Sequence, residues 1–498
     1  MTIDNNHTQT GDQKIDGLTP ELFSQWIKLP FVDSIDKAPG IKKKLKQTDY
    51  KANGKIPVID QGQAFIAGYT DKEDDKYEVD LPIIIFGDHT KCVKYLDFEF
   101  AVGADGTKIV IPKNIFNKKY FFHYLKSLRW QDDYYGRHFK YLKQIIVPLP
   151  PLSEQERIVA KLDTIMPRIE SVKDRLEKIP LIIKRFRQSV LTAAVTGNLT
   201  EEWREKHPDV ECADNLLERI KEFKINNAKS KRELNSIKKN DKEGFERLKN
   251  IETPFSIPDK WRYCEINSIG NVYNGSTPSR KVPEYWNGDI NWISSGEVAN
   301  LRIESTREQI THEGFKNSSV KLFPKGTVLI AMIGEGKTRG QTAILDIEST
   351  CNQNIAAIII NHGLVLPEYL YNWLFMQYEH NRNFGSGSGP KALNCQRVRE
   401  IDFVLPPLEE QKQIVKEVDK LFTLADKVEI HYQQAKERVD KLSQSILAKA
   451  FRGELVPQDP NDEPASVLLE RIIEEKTKME KQLKSSKTAS RKKREIKK

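Results

Sequence analysis

The chain has 498 residues, 38% of them hydrophobic and 30% charged, with a formal net charge of +9. That length exceeds what one hydrophobic core organises, so three or four structural units are expected. Residues 475–498 hold 11 Lys or Arg against 3 Glu, a net +8, so the body is nearly neutral and bulk charge gives no argument for nucleic-acid binding by the folded part.

No basic-then-apolar leader opens the sequence, and no apolar run reaches membrane-spanning length, which predicts a chain with no membrane partner. Cys92, Cys212, Cys264, Cys351 and Cys395 are odd in number and form no CxxC pair. A reduced, cytoplasmic protein without a zinc site is the simple expectation.

In chain order, residues 1–17 are rich in Asn, Thr, Gln, Asp and Gly and read as a flexible arm. Residues 18–144 read as a first globular head of mixed α and β character. Within it, Lys55–Ile59, Leu81–Phe86 and Lys108–Ile111 are strand-like runs bounded by Gly, Pro and Asp, and Tyr120–Trp130 has helical spacing.

Residues 145–199 carry a helical spacer. It opens with Leu149-Pro150-Pro151-Leu152-Ser153-Glu154-Gln155 and continues through Ile158, Leu162, Ile165, Ile169, Val172, Leu176, Ile179, Ile183, Phe186 and Val190, alternating steps of four and three. An apolar residue every 3.5 positions forms one slowly drifting stripe, the mark of a coiled-coil seam. About 33 residues of such a helix span roughly 50 Å. Pro167 and Pro180 interrupt it, and an interior proline removes a backbone donor, so the expectation is a helix kinked, or split into two segments near Ile179-Pro180.

Residues 200–256 are a charged, poorly patterned linker containing Leu216-Leu217-Glu218-Arg219-Ile220. Residues 257–400 form a second head, in which Trp261 and Ile269 faintly echo Trp26 and Ile35. Asp289–Ile293, Val328–Ile330 and Asn354–Ile360 read as strands and Tyr369–Met376 as a helix. Residues 401–455 then repeat the spacer. Leu405-Pro406-Pro407-Leu408-Glu409-Glu410-Gln411 lies 256 positions after the first motif, and Gln444-Ser445-Ile446-Leu447 keeps that offset from Gln188-Ser189-Val190-Leu191. The second stripe is Ile414, Val418, Leu421, Ala425, Val428, Tyr432, Ala435, Val439, Leu442 and Ile446. Leu468-Leu469-Glu470-Arg471-Ile472 repeats the linker pentapeptide inside a basic tail, 456–498. Each stripe needs a cover, and the other copy is the nearest one, which predicts an intramolecular coiled coil.

The fold class is therefore α+β: two mixed heads separated by a two-helix coiled coil, in a pseudo-twofold tandem repeat. A preserved spacer between divergent heads fixes a distance while each head reads something different. DNA half-sites roughly 34 Å apart suit such a ruler.

At this point the sequence resembles a known family. The motif Leu-Pro-Pro-Leu-x-Glu-Gln opening a heptad helix twice, with Lys184–Leu191, Leu199–Arg204, Gln444–Leu455, Phe86–Thr90 and Gly275–Ser279, is similar to the specificity (S, or HsdS) subunit of type I restriction-modification systems. The resemblance implies two target-recognition domains held apart by an antiparallel coiled coil, each reading one half of a bipartite double-stranded DNA site. It implies no catalytic activity in this chain. The partners would be two modification subunits, which methylate adenine, and restriction subunits, which cut DNA. S-adenosylmethionine, ATP and Mg would be used by those partners, with no cofactor and no metal here. The helices would be the docking site, through Ile158, Leu162, Ile165, Ile169, Val172, Leu176, Ile183, Phe186, Ile414, Val418, Leu421, Val428, Val439, Leu442 and Ile446.

A search for chemistry agrees by its failures. Met332–Thr338 suggests a phosphate loop, but the required first glycine is Ala331. No Asp/Asn-Pro-Pro-aromatic methyltransferase tetrapeptide occurs, and Pro208–Cys212 lacks the lysine of a nuclease metal motif. DNA contacts call for Arg, Lys, hydroxyl or amide side chains on projecting loops. The candidates are His89, Thr90 and Lys91, then Tyr135, Arg137, His138 and Lys140 in the first head. In the second they are Ser276, Thr277, Ser279, Arg280 and Lys281, then Lys337 and Arg339, then Ser386, Ser388 and Lys391. A coiled-coil adaptor with two protein-binding heads would show apolar head surfaces, and a self-contained restriction enzyme would carry a nuclease or methyltransferase motif, which the sequence lacks. A specificity subunit of a methylation-only system would have the same sequence features as one of a full restriction system.

Overall fold

A computed structural model describes residues 15–16 and 25–474, except 104, 131–135, 229, 232–233, 236, 240–243, 245–246, 248–254, 300–301, 335 and 384–392. The chain divides into two compact units. One joins Met1–Glu177 to Gln433–Lys498, and the other is Lys178–Tyr432. Each unit therefore combines one head with the near half of one long helix and the far half of the other.

In the first unit, strand Ile83–Gly87 lies between Thr107–Pro112 and Val93–Leu96, antiparallel to both, with Ile35–Asp36 outside Thr107–Pro112. A second sheet places Ile56–Ile59 between Gly68–Thr70 and Ala101–Val102. Successive side chains of a strand face opposite ways, and all five residues of Ile83–Gly87 are buried. Ile84 and Phe86 pack with Trp26, Phe121 and Tyr124. Ile83 and Ile85 pack with Ile59, Leu96, Phe100 and Val102. A layer on each face explains the unbroken apolar run. Helix Lys118–Ser127 begins where the Asn117 side chain accepts from the N–H groups of Lys119 and Tyr120. It stops earlier than its spacing predicts, because Arg129–Trp130 leaves to pair with Ile15–Asp16.

The second unit repeats this plan with different lengths. A five-stranded sheet runs in the order Gly270–Asn274, Ile355–Ile360, Val328–Ala331, Thr342–Leu345, Arg302–Ile303. A smaller sheet places Trp286–Ile293 between Glu308–Ile310 and Thr350–Cys351. Val328, Ile330, Ala356 and Ile358 face one core, and Leu329, Ala331, Ile355 and Ala357 face the other. Helix Pro367–Met376 takes the place of Lys118–Ser127.

The two long helices are Leu152–Thr196 and Leu408–Phe451. The first runs uninterrupted through Pro167 and Pro180, so the expected split near Ile179-Pro180 does not occur. Each proline removes a single donor, and the remaining bonds of the neighbouring turns carry the helix past it. In both units the helices pass antiparallel. The first unit pairs Lys173 with Asp440 at 2.7 Å, and Ile158 and Leu162 pack with Leu447, Ala450 and Phe451. The second unit pairs Arg187 with Asp426 and Glu429, and Val190, Leu191 and Ala194 pack with Ile414 and Val418.

Part of the presumed linker is structured. Glu201–Lys206 and Ala213–Asn226 are helices, and Leu216 and Ile220 are buried in the second unit's core. The equivalent pentapeptide of the tail is helical too, with Leu468 buried in the first unit's core. Ala213 N donates to Lys260 O at 2.9 Å, and Ala465 N donates to Gln25 O at 3.2 Å. The segment following each long helix thus closes the head that precedes the other one. The basic run from 475 onward lies outside the described residues, as does the arm 1–14.

Candidate nucleic-acid interface

The repeated motif is a joint between head and helix. In the first unit, Ile27–Pro30 pairs with Ile146–Leu149, and in the second, Arg262–Glu265 pairs with Asp402–Leu405. Trp26 Nε1 donates to Glu154 Oε2 at 2.8 Å, and Trp261 Nε1 donates to Glu410 Oε2 at 2.7 Å. The Gln155 amide bridges Pro150 O and the N–H of Asn117, while Gln411 bridges Pro406 O and the N–H of Leu366. Asn117 and Leu366 are the residues that begin the head helices. The Tyr120 hydroxyl donates to Pro148 O, and the Tyr369 hydroxyl to Val404 O, both at 3.0 Å. Both carboxylates and both amides are buried. Burial pushes the Glu154 carboxyl up, opposed by the Trp26 indole, Arg157 and Gln458. These buried hydrogen bonds fix each head's angle to its own helix segment.

In the first head the two candidate loops meet at one aspartate. The turn after Ile83–Gly87 places Lys91 at φ 60°, and its N–H closes on Gly87 O at 2.9 Å. The Asp88 carboxylate accepts from the Phe139 N–H at 2.8 Å, its carbonyl accepts from the His138 N–H at 2.7 Å, and Lys108 lies 3.5 Å from it. The Gln61 side chain accepts from the His89 N–H at 3.1 Å, and its carbonyl accepts from the Thr90 hydroxyl. Below the turn, the buried Lys94 ammonium donates to Asp60 O and Ala64 O, and burial pulls its pKa down. His138 is buried, edge-on to Trp130 at 5.2 Å, so it serves packing rather than an open surface. Arg137 and Lys140 are exposed, and Lys140 lies over the Tyr141 ring. Tyr135 lies outside the described residues.

In the second head, Arg280 is bidentate to Glu308 and stacks 3.6 Å from the Trp286 ring centroid and 4.9 Å from that of Trp292. Its pKa is raised by the Glu308 hydrogen bond. Ser276 shares a hydrogen bond of 2.8 Å with Ser319, Thr277 donates to Gln353 Oε1, and Ser279 Oγ accepts from the Lys281 N–H. Lys281 is exposed. The other loop is split in character. Lys337 is exposed and its carbonyl accepts from the Tyr378 hydroxyl, whereas Arg339 is buried. Ser386, Ser388 and Lys391 lie outside the described residues.

Along the helices, Ile158, Leu162, Ile169, Ile183, Ile414 and Val418 are buried, and Ile165, Leu176, Leu421, Val439 and Ile446 are half-buried. Val172, Phe186, Val428 and Leu442 are exposed, joined by Leu181, Ile182, Leu424 and Ile430 off the stripe. The helices thus keep apolar side chains in water along the stretches away from the heads. Sequence reasoning missed Gln61, Ser319 and Gln353, each brought to a candidate loop by the tertiary fold. Among the described residues, no group of three or more His, Cys, Asp or Glu could hold a metal, and no helix is long and apolar enough to cross a membrane.

Comparison with known proteins adds to this geometry. A family profile described as the type I restriction modification DNA specificity domain matches residues 35–181 and 258–437. The type I restriction enzyme EcoDI specificity subunit of Escherichia coli is 31% identical over 362 residues, covering 71% of this chain and 72% of that one. The EcoBI specificity subunit of the same organism is 28% identical over 528 residues, covering 99% and 100%. A solved structure described as the structural basis of complex assembly and conformational transition of the type I R-M system superposes with a TM-score of 0.58 at 16% identity, covering 87% of this chain and all of that one.

Proposed function

Because the chain belongs to the type I restriction-modification DNA specificity family, we propose that each of its heads reads one half of a bipartite, asymmetric site in double-stranded DNA. In this reading the exposed apolar stretches of the long helices dock two modification subunits, and restriction subunits join that complex. The chain itself carries out no chemistry. Adenine methylation with S-adenosylmethionine, and ATP- and Mg-dependent cleavage, belong to the partners. The cytoplasm, where DNA and those partners reside, is its place of work.

The observation that supports this reading is the joint described above. Two heads with different loops end in the same Trp–Glu–Gln arrangement on antiparallel helices. A fixed joint with a variable reading surface is what a two-part recognition element needs, because half-site spacing follows from rigid geometry while sequence choice follows from loop side chains. The test is single-molecule sequencing of adenine methylation in the source cell, with and without the gene. The expected result is loss of one split motif with a fixed gap. An unchanged methylome, with the partner subunits expressed, contradicts the reading.

A further inference from the structure

Three segments far apart in sequence form one edge of the second head: 275–277, 318–321 and 352–354. Gly275 fits only without a side chain, since a Cβ there would lie 2.1 Å from the Asn352 carbonyl oxygen. Ser276 N donates to Cys351 O at 2.8 Å, and the Asn352 side chain accepts from Asn354 N at 3.0 Å, so the turn bearing Gln353 is held from two sides. The loop 276–280 is clamped by tryptophans. Trp292 Nε1 donates to Ser276 O at 3.1 Å and Trp286 Nε1 to Ser279 O at 3.2 Å, and Arg280 lies over both rings while Glu308 takes its charge. Arg280 is thereby a positioning residue, held by Glu308 and the two tryptophan rings.

The edge so held has a surplus of donors. Thr277 occupies Gln353 Oε1, so the two N–H bonds of the exposed Gln353 amide have no partner among the described residues. Ser276 and Ser319 share one hydroxyl hydrogen between them, which leaves the other free. Lys321, exposed and 4.6 Å from the Tyr273 ring centroid, adds a positive charge two residues after Ser319. Among the described residues, no carboxylate hydrogen-bonds to Ser276, Thr277, Ser319 or Gln353. Base edges mix donors and acceptors, so an edge that offers mainly donors matches only part of what they present. Phosphate oxygens only accept.

We propose that Gln353, Ser319 and Lys321 form a DNA-backbone contact of the second head, taking phosphate oxygens beside the half-site that head reads. This rests on the DNA-reading role proposed above. It makes the edge a register-setting element that carries no base preference of its own.

The test uses the full chain assembled with its modification subunits, binding a duplex that carries the methylated motif and a scrambled duplex across a KCl series. Gln353→Leu is expected to weaken both duplexes by a similar factor, about tenfold, as loss of a hydrogen bond to a charged acceptor does. Gln353→Glu keeps an acceptor for Thr277 but faces the phosphate with a negative charge, and should weaken both further. Lys321→Gln should lower the slope of log affinity against log salt by about one. The methylated motif should stay the same in all three. A changed base in the second head's half-site would overturn the proposal in favour of base reading, and unchanged affinity for both duplexes would overturn it outright. Failure of the unaltered complex to prefer its motif over the scrambled duplex would instead count against the DNA-reading role itself. Unchanged thermal unfolding of the variants separates a lost contact from a misfolded head.

Discussion

Trp26 and Glu154 are joined by a buried hydrogen bond of 2.8 Å, and the same bond recurs between Trp261 and Glu410 at 2.7 Å. Each carboxylate takes a second donor from the segment that follows the opposite long helix, Gln458 for Glu154 and Arg204 for Glu410. One side chain therefore ties head, helix and closing segment within each unit. Glu154→Ala leaves the indole N–H and the Gln458 amide without that acceptor, and is expected to cost about 1–3 kcal/mol. Glu410→Ala should cost at least as much, because Arg204 also loses its partner. Denaturant melts of the full chain check both, and the two losses should fall on different unfolding steps if the units melt separately.

Asp88 is the hinge of the first head's two loops. Asp88→Ala removes the acceptor of the Phe139 N–H and the partner of Lys108, with an expected cost of about 1–3 kcal/mol. The functional consequence should be one-sided. In a methylome of cells carrying the variant, relaxed preference is expected in the half-site read by the first head, with the other half unchanged.

The exposed apolar residues of the helices can be tested without disturbing either core. Leu424→Asp and Ile430→Asp change side chains more than half exposed, so stability should move by no more than about 0.5 kcal/mol. Co-purification with the modification subunits should be lost. Retained co-purification would place docking elsewhere on the chain.

Asp75 supplies a pH signature. Lys43 hydrogen-bonds its carboxylate at 2.7 Å, and Thr70 donates to it as well. Despite burial, the Lys43 bond holds the carboxyl below its ordinary value of 3.8. A carboxylate with a depressed folded-state pKa contributes stability above the unfolded value and loses it as pH falls through the folded one. The first unit's stability should therefore drop on acidification below about pH 4. Asp75→Asn should flatten that drop and lower stability at pH 7 by about 1–3 kcal/mol.

The architecture was legible because a gap-free repeat is a strong signal. The seam positions and the six strand-like runs in the two heads all correspond to structured elements. The motif announced a helix start but not its purpose, since the two Glu–Trp bonds span 128 and 149 positions and the Gln bonds to the head helices 38 and 45, which leaves no local pattern. The prolines misled in the other direction, because each removes one backbone donor while the neighbouring turns keep theirs and carry the helix on. The linker helix at Ala213–Asn226 was missed, as its buried side is narrow, chiefly Leu216 and Ile220 among charges. Among the site candidates, loop membership was readable but orientation was not. Arg280 and Arg339 look alike in sequence, yet one is stacked on tryptophans and the other is buried. Gln61 and Gln353 carried no signal, because their roles come from neighbours that only the fold supplies.

The central proposal is that the two heads read their half-sites independently of one another. The most direct measurement is a head exchange: residues 257–400 replaced by the matching segment of another member of the family, expressed with the same modification subunits, and adenine methylation read across the genome. The account predicts a new split motif in which one half-site is retained, the other is replaced, and the gap is unchanged. A motif altered in both halves, or methylation that persists with the original motif intact, would contradict it.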